Sequence, residues 1–459
     1  MVNVYKRMAQ LRHGIVLEGY CRTECGTVPR DWTKFYLGDI YTERNEPGNE
    51  NLPLLMVSIH SGVSDGEVDE EQLTKKFKRI EDKTQYKRAE SGDLVFNMMR
   101  AWQGAVGTVR TRGMVSPAYI VAKPGDMVDP LFMNFYMRTD RMIKSIHRQS
   151  YGVTDFRLRL YWDSFAAIPC VLPPLPEQRK IAAILATQDK MIELKTKLLE
   201  ETKRRKKALM QRLLAPMGEK RLEAASPRGE AASCRFSAEW QIVRLSDLFL
   251  PVNRKNAKNN KNILTISAQD GLVSQMEYYK HQYASADTSG YTLLKEGEFA
   301  YNKSRAGEFP YGAIKMLKKY EEGVVSPIYL CFAAKKGVCQ DFWSYYFNGG
   351  MVNHGLYRIA QEGARNHGLL NIPTDEFFNL ELRVPPIAVQ RRIVAVLSTA
   401  DREIDLMEKE LKALELKKKA LMQLLLTGIV RVGEAASCRL ERAGNEAAGS
   451  RFSTRIAKV

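Results

Sequence analysis

The chain has 459 residues, which is enough for two to four ordinary domains. Apolar residues make up 44% of it and charged residues 27%, which excludes a disordered or fibrous protein and predicts a globular one. Its 70 lysines and arginines exceed its 53 aspartates and glutamates, and the formal net charge is +17. Such a charge favours a polyanionic partner, nucleic acid or an anionic membrane, over a basic protein that has no such partner.

The apolar and cysteine patterns predict a protein of the reducing cytoplasm. No window approaches eighteen uninterrupted apolar residues, so we expect no transmembrane helix. Arg12, His13 and Glu18 interrupt the apolar residues near the N-terminus, so we expect no secretory signal either. The seven cysteines are scattered and odd in number, which argues against a disulfide framework.

The first globular region follows a short N-terminal extension. We interpret residues 1–30 as that extension and residues 31–173 as a domain of mixed helix and strand. The β-rich runs Asp93–Asn97 and Gly113–Val121 are bounded by Gly, Pro, Asn and Asp, which is typical of short strands. The stretch Pro130–Ile146 is predicted to be helical.

A long helix is predicted for residues 174–215. Pro173 and Pro174 stand at its start, where a missing backbone N–H has no cost. Residues 177–214 alone would span roughly 57 Å at about 1.5 Å per residue, so the helix cannot bury its apolar stripe within its own small domain. The stripe comprises Ile184, Leu185, Met191, Ile192, Leu198, Leu199, Leu209 and Leu213.

The second half of the chain repeats the first half. Four segments recur in the same order at offsets of 205 to 212 residues, as loop insertions and deletions would cause. The matched pairs are PPLPEQRKIAAIL (173–185) with PPIAVQRRIVAVL (385–397), KKALMQ (206–211) with KKALMQ (418–423), VSPAYIV (115–121) with VSPIYLC (325–331), and GDLVFN (92–97) with GEFAYN (297–302). The sequence therefore predicts two copies of one unit, each a globular domain followed by a long helix.

The second copy comprises a domain at 239–384 and a helix at 385–427. Within that domain Ser326–Ala333 is predicted to be a strand and Gln340–Asn353 a helix. In the long helix an apolar residue recurs every seven positions, with Lys418 as the one break, and this spacing indicates a coiled-coil seam. We predict that the two long helices pair as an antiparallel coiled coil through Leu185, Ile192, Leu199, Leu397, Ile404, Leu411 and Leu425. The alternative is two separate helices that each pack on a different protein.

Two segments rich in Ala, Glu, Ser, Gly and Arg lie outside the repeat. Residues 216–238 are interpreted as a low-complexity linker and residues 428–459 as a flexible C-terminal tail. Each contains the heptapeptide GEAASCR, which begins at Gly229 and at Gly433 and is out of step with the rest of the duplication.

The usual catalytic and nucleotide-binding signatures are absent from the sequence. It contains no P-loop, no dinucleotide-binding glycine fingerprint and no H-E-x-x-H. The six histidines lack metal-ligand spacing, and Cys21 and Cys25 have no second pair beside them. These observations predict a binding protein without a cofactor or metal of its own rather than an enzyme.

Basic and amide side chains near turns of both domains are candidates for DNA contacts. Arg, Lys, Asn and Gln make the contacts that distinguish guanine and adenine edges, and the cations also hold phosphates. The candidates are Asn97, Arg100, Gln103, Arg157 and Arg159 in the first copy and Asn302, Lys303, Arg305, Arg365, Asn366 and His367 in the second. Between the matched segments the two copies differ strongly, which suggests that two modules on one frame read different targets.

The repeated domain with its Pro-Pro-x-x-x-Gln-Arg helix resembles the specificity subunit of type I restriction–modification systems. The resemblance covers residues 31 to about 432 and includes RLRLYWDSF at 157–165 and GARNHGL at 363–369. It implies a subunit without catalytic activity, in which each target-recognition domain reads one half of an asymmetric, bipartite DNA sequence. It also implies that the paired helices set the gap between the halves and dock two methylation subunits.

The same resemblance implies that S-adenosylmethionine, ATP and Mg2+ belong to partner subunits, namely the methylation subunits and the restriction subunits of the full complex. Three other interpretations stay open at this point. One is the specificity subunit of a related system whose partner fuses methyltransferase and nuclease. The second is an enzyme such as a nuclease with a degenerate acidic motif, and the third is a coiled-coil scaffold that binds DNA without sequence preference.

Overall fold

The computed structural model describes residue 10 and residues 15–59, 61–66, 82–152, 158–215, 240–267, 271–279, 287–305, 309–362, 368 and 370–432. The chain divides into two compact units. Unit 1 comprises Met1–Thr196 and Glu410–Val459, and unit 2 comprises Lys197–Lys409. The GEAASCR segments, like Arg157, Arg365, Asn366 and His367, lie outside the described residues.

Unit 1 contains twelve short strands among its described residues. They are β1 (Tyr20–Thr23), β2 (Gly26–Pro29), β3 (Thr33–Tyr36), β4 (Tyr41–Arg44), β5 (Val57–Ser58), β6 (Gly62–Val63), β7 (Lys87–Ala89), β8 (Leu94–Asn97), β9 (Val106–Thr108), β10 (Gly113–Val115), β11 (Tyr119–Pro124) and β12 (Pro169–Leu172). The helices are α1 (Leu37–Ile40), α2 (Pro130–Tyr136), α3 (Asp140–Gln149), α4 (Trp162–Ala166) and the start of α5 (Leu175–Leu214).

The central sheet of unit 1 has the antiparallel order β4-β11-β8-β9. Strand β8 is buried along its whole length, because helices cover one face of the sheet and the hairpin β5-β6 packs near the other. Phe96 of β8 stacks on Phe165 of α4, with ring centroids 4.7 Å apart. The long helices close this core, since Leu185 and Leu425 are fully buried in the same cluster.

The structure divides two stretches of unit 1 that the sequence pattern joins. The run Gly113–Val121 is two strands, because a turn at Ser116, in which Tyr119 N donates to Ser116 O at 2.9 Å, separates β10 from β11. The stretch Pro130–Ile146 is likewise two helices. The second helix begins anew at Asp140, where the Thr139 hydroxyl caps the backbone of Met142.

Unit 2 is built from the equivalent elements. Its strands are β13 (Gln241–Arg244), β14 (Phe249–Pro251), β15 (Leu264–Ser267), β16 (Gly271–Ser274), β17 (Thr292–Lys295), β18 (Phe299–Asn302), β19 (Ala313–Met316), β20 (Glu322–Val325), β21 (Leu330–Ala334), β22 (Gln361–Glu362), β23 (Leu370–Asn371) and β24 (Glu381–Val384). Its helices are the end of α5, α6 (Leu245–Leu248), α7 (Gln275–Tyr279), α8 (Gln340–Asn348), α9 (Asn353–Ile359), α10 (Thr374–Phe378) and the start of α11 (Ile387–Leu425), whose last part belongs to unit 1.

The duplication extends to sheet order, registers and polar contacts. The central sheet of unit 2 has the order β14-β21-β18-β19, which matches β4-β11-β8-β9 strand for strand. The Arg44–Asp93 ion pair of unit 1, at 2.8 Å, recurs as Arg254–Glu298 at 2.6 Å. Helix α8 ends at Asn348 rather than continuing to residue 353, because Gly350 adopts a φ of +72°. The predicted pair of similar α+β domains with long helices is confirmed.

Within each unit the segments of the two long helices run antiparallel. In unit 1 Lys418 lies 2.5 Å from Asp189, and Lys195 pairs with Glu410. In unit 2 Lys203 lies 2.6 Å from Glu408. The described part of the chain contains no helix that combines the length and apolarity needed to cross a membrane.

The predicted seam residues are buried or half-buried in the helix pairs. Leu185, Leu199, Leu397 and Leu425 are buried, whereas Ile192, Ile404 and Leu411 are half-buried. The stripe of α5 is narrower than the sequence suggests, because Met191 and Leu198 are exposed.

Both long helices begin in the same way after their proline pairs. Gln178 Nε2 donates to the carbonyl of Pro173 at 2.9 Å, and Gln390 Nε2 donates to that of Pro385 at the same distance. These bonds supply partners to carbonyls just before the helix. The Gln of the repeated Pro-Pro-x-x-x-Gln-Arg motif is therefore explained by its role at the helix start.

The N-terminal extension forms a hairpin, β1-β2, that contacts the segment after α11 within unit 1. The hydroxyl of Tyr20 donates to the carbonyl of Gly428 at 2.6 Å. Arg431 donates to both carboxylate oxygens of Asp31, at 2.7 and 2.6 Å, and to both of Glu177, at 2.8 and 2.7 Å. We call Arg431, Asp31 and Glu177 the terminal clasp. It joins the residue that follows the extension, the start of α5 and the segment that follows α11.

Candidate nucleic-acid interface

The candidate interface of unit 1 centres on loop 98–105, which follows strand β8. Asn97 is buried, and its side-chain Oδ1 accepts from the backbone of Met99 at 2.9 Å. The loop then forms a 3-10 turn that ends at Gly104, with a φ of +104°. Trp102 Nε1 donates to the carbonyl of Met99 at 3.0 Å. These bonds hold the loop in one conformation and leave Arg100 and Gln103 exposed.

A second segment of unit 1 lies beside this loop. Leu160 N donates to the carbonyl of Met98 at 2.9 Å, which attaches the segment to the loop. Tyr151 and Arg159 face each other in an antiparallel bridge, with N–O distances of 3.1 and 2.9 Å. Arg159 is exposed, and the ring of Tyr151 lies 5.2 Å from that of Tyr161.

The structure thus brings the described candidates of unit 1 into one cluster, which we call recognition cluster 1. It comprises loop 98–105 and the bridge of Tyr151 with Arg159. Exposed arginines suit bidentate contacts to guanine or to phosphates, and an exposed glutamine suits adenine. Asn97 has a different place, since its Oδ1 is engaged with the backbone and the residue is only 9% exposed.

Unit 2 has the equivalent arrangement, which we call recognition cluster 2. Asn302 Oδ1 accepts from the backbone of Ser304 at 3.0 Å, as Asn97 does from Met99. Leu370 N donates to the carbonyl of Lys303 at 3.0 Å, as Leu160 does to Met98. Arg305 N donates to the carbonyl of Gly368 at 2.8 Å and its side chain is exposed.

The ammonium group of Lys303 is used within the domain. Its Nζ donates to the carbonyl of Ile372 at 3.0 Å, and partial burial lowers its pKa. This bond ties the loop that follows β18 to the segment that leads into α10. Lys303 therefore holds the frame of cluster 2, whereas the side chain of Arg305 is exposed.

Exposed tyrosines lie in cluster 1 and on helix α9 of unit 2, and the sequence reasoning did not single them out. Tyr151 is 59% exposed in cluster 1. In unit 2 Tyr357 is 65% exposed, and its ring lies 6.0 Å from that of Tyr311. A tyrosine hydroxyl can donate to a phosphate. A lone tyrosine in helix α9, such as Tyr357, carries no sequence signal of its exposure.

The metal-binding residue types in the described part of the chain do not come together in one group. Among those residues, no group of three His, Cys, Asp or Glu side chains is arranged to hold a metal ion. The acidic residues next to the central sheets form ion pairs, as Asp93 does with Arg44. What the geometry offers is two fixed loops with exposed basic and amide side chains.

The fold and the two clusters define a class of protein with two similar binding modules, each packed on paired long helices. No protein-family model matches the chain. It is 22% identical over 443 residues to the protein assigned as type I restriction enzyme MjaX specificity subunit of Methanocaldococcus jannaschii, with 90% of this chain and 97% of that one covered. It is 21% identical over 460 residues to the MjaVIII specificity subunit of the same organism, with 88% and 94% covered.

A solved structure shares the fold. The model matches a chain from a study of complex assembly and conformational transition of the type I R-M system, with a TM-score of 0.51 and 14% sequence identity. The match covers 88% of this chain and 99% of that one. The two relatives show that the chain is similar to type I restriction enzyme specificity subunits over most of its length. The expected resemblance is confirmed.

Proposed function

We propose that the chain is the non-catalytic DNA-recognition subunit of a type I restriction–modification complex. The observation that carries the proposal is the pair of recognition clusters, which share one hydrogen-bonded frame and differ in the side chains on it. One frame with two different surfaces suits a bipartite, asymmetric DNA site. The homology to specificity subunits supports the same role.

Each cluster reads one half of the site in this proposal. Arg100, Gln103 and Arg159 are the exposed donors of cluster 1, and Arg305 is the described cation of cluster 2. Arg157, Arg365, Asn366 and His367 stay candidates for the same two surfaces. Each good bidentate contact to a base contributes about 1–3 kcal/mol of discrimination, so a few such residues suffice for each half-site.

Asn97 and Asn302 act indirectly. Their side-chain oxygens hold the first turn of each loop, at 2.9 and 3.0 Å from a backbone nitrogen. Loss of this bond frees a loop that is otherwise fixed before DNA arrives. We therefore assign them to positioning rather than to base reading.

The partners of the chain in this proposal are double-stranded DNA, two methylation subunits and, in the full complex, restriction subunits. The paired long helices set the gap between the half-sites and carry the docking surface for the methylation subunits. S-adenosylmethionine, ATP and Mg2+ are assigned to those partners rather than to this chain. The place of action is the cytoplasm, where such a complex meets chromosomal DNA.

The proposal is tested by co-expressing the chain with the methylation subunit encoded beside it and mapping adenine methylation of the host DNA by single-molecule sequencing. We expect a bipartite motif with a fixed gap that appears only when the chain is present. Arg100→Ala should relax one half of the motif and Arg305→Ala the other half. Lys123→Ala is the matched control, because Lys123 is an exposed cation of the central sheet of unit 1 outside cluster 1.

A well-folded complex that adds no methylation would refute the proposal. Binding without sequence preference, with a shallow dependence of affinity on salt, would instead support the scaffold interpretation. Cleavage of DNA by the purified chain with a divalent metal would support an enzyme.

A further inference from the structure

The heptad seam of each long helix is interrupted by one lysine at the same place. The seam positions, one every seven residues, are Leu185, Ile192, Leu199, Lys206 and Leu213 in α5, and Leu397, Ile404, Leu411, Lys418 and Leu425 in α11. The side chains of the two lysines are 24% and 27% exposed. A half-buried lysine in an apolar seam lowers stability relative to leucine, so its presence calls for a reason.

In unit 1 Lys418 is held between a carboxylate and an aromatic ring. Its Nζ lies 2.5 Å from Oδ1 of Asp189 in the other helix. The same Nζ lies 5.7 Å from the ring centroid of Phe135 in α2. Arg138, in the turn that follows α2, interacts electrostatically with Asp189. The helix pair and the recognition domain of unit 1 thus meet at one ion pair.

Unit 2 contains the equivalent triad with the helices exchanged. Lys206 of α5 pairs with Asp401 of α11, and its Nζ lies 5.7 Å from the ring centroid of Tyr345 in α8. The hydroxyl of Tyr345 donates to Oδ2 of Asp401 at 2.5 Å. Lys315 of the central sheet interacts electrostatically with Lys206, so here too a second cation lies near the pair.

The spacing of the four charged residues fits one helix arrangement. Seventeen residues separate Asp189 from Lys206, and seventeen separate Asp401 from Lys418. An antiparallel arrangement can therefore satisfy both pairs in a single register. A parallel pairing of the two repeats would place aspartate against aspartate and lysine against lysine. A slip by one heptad would leave all four charges without these partners.

We propose that the pairs Asp189–Lys418 and Asp401–Lys206 are register keys, which select one antiparallel register of the long helices and fix each recognition domain on them through Phe135 and Tyr345. The next step rests on the proposed function: the keys determine which gap between the two DNA half-sites the complex accepts. They act as positioning residues, since none of them belongs to a recognition cluster. Half-exposed ion pairs contribute little net stability, so selection of register is their main effect.

The first test is a double-mutant cycle on the free energy of unfolding and needs no DNA. Asp401→Asn and Lys206→Met are made singly and together, and Asp189→Asn with Lys418→Met likewise. We expect each pair to be coupled by about threefold in the unfolding equilibrium constant. The pair Lys203–Glu408 is the control, because its side chains are 51% and 41% exposed. Coupling no greater than that of the control pair would overturn the proposal.

The second test replaces both seam lysines by leucine. We expect the Lys206→Leu, Lys418→Leu variant to unfold at a higher temperature yet to lose its unique register, which light scattering detects as mixed oligomers. In complex with the methylation subunits, it should accept half-site gaps altered by one to three base pairs at least tenfold better than the wild type does. A purely stabilising role of the two lysines predicts instead that the leucine variant unfolds at a lower temperature than the wild type.

Unchanged gap discrimination in a monodisperse leucine variant would overturn the register keys. Absence of any bipartite preference in the wild-type complex would instead refute the proposed function. The unfolding cycle separates these two failures, because it reports on the keys whether or not the chain recognises DNA.

Discussion

Removal of Arg431 should weaken unit 1 by about 2–3 kcal/mol in its free energy of unfolding. In the terminal clasp Arg431 donates four charge-assisted hydrogen bonds, two to Asp31 and two to Glu177, between 2.6 and 2.8 Å. Glu177 is only 9% exposed, so Arg431→Ala leaves a buried carboxylate without its partner. We discount the value expected for a fully buried pair because the side chain of Arg431 is 36% exposed.

Urea denaturation of the full chain, followed by circular dichroism, measures this loss. Thermal unfolding should shift by roughly 5–10 °C, given about 2–4 °C per kcal/mol for units of this size. Arg431→Lys should recover only part of the loss, because an ammonium group cannot make bidentate bonds to two carboxylates at once. Arg179→Ala, an exposed arginine two residues after Glu177, is the matched control and should change stability by less than about 0.5 kcal/mol.

The clasp also predicts a pH dependence. The hydrogen bond from Arg431 holds the pKa of Asp31 below its ordinary value. A carboxylate with a lowered pKa in the folded state stabilises it above the pKa of the unfolded state, about 3.9, and less as the pH falls below that. The difference in free energy of unfolding between the wild type and Arg431→Ala should therefore become smaller at acid pH. Equal stability of Arg431→Ala and Arg179→Ala at pH 7 would refute the reasoning.

Three further predictions concern buried groups. Gly428→Ala should cost about 2 kcal/mol or more in unfolding free energy, since Gly428 has a φ of +69° and a Cβ there would lie 2.6 Å from Pro29; an unchanged urea midpoint would contradict this. Burial lowers the pKa of Lys315 to about 8, so the unfolded state binds more protons than the folded state between about pH 8 and 10.4. The free energy of unfolding should therefore rise by up to about 3 kcal/mol as the pH increases across that window. Lys315→Met should remove this rise. Burial raises the pKa of Cys170 and Cys331 to about 12. After the native chain is treated with an alkylating reagent, mass spectrometry should therefore find both thiols unmodified. Rapid alkylation of either thiol would count against its burial.

The duplicated architecture was within reach of sequence reasoning because its signals are local. The proline pairs mark the starts of helices that begin at Leu175 and Ile387, and the heptad spacing marks their seam. The matched segments GDLVFN and GEFAYN become equivalent strands of two sheets with the same order. The heptad spacing also identified Lys418 as a break in the seam of the second helix. It did not identify the equivalent Lys206, because the apolar stripe of the first helix is broader.

Other features depend on residues far apart in the sequence. Arg431 and Asp31 are 400 residues apart, and no local pattern links a C-terminal arginine to an N-terminal aspartate. The division of Pro130–Ile146 into two helices depends on a cap at Thr139 that a continuous apolar pattern conceals. Residue type alone identified Lys303 as a ligand contact, whereas its bond to a carbonyl of the frame emerges only in three dimensions.

Sequence candidates of the same residue type have different surroundings in the structure. The loop that follows β8 carries Arg100 and Gln103 as expected, and both are exposed. Asn97 has the same chemistry in the sequence, yet it lies beneath the loop and holds its backbone. A side chain that reads a base and one that positions the reader differ only in their surroundings.

The sharing of the long helices between units bears on how the chain is made. The core of unit 1 buries Leu185 together with Leu421, and 236 residues are synthesised between these two. At about 5–20 residues per second the interval is roughly 10–50 s. During this time the apolar stripe of the first helix has no partner helix, because the second helix has not yet been synthesised. Unit 2 is encoded as one continuous stretch and can close first. The first module to be translated is therefore the last to be completed, and a chaperone that shields apolar helices would act on it for about half of the chain's synthesis.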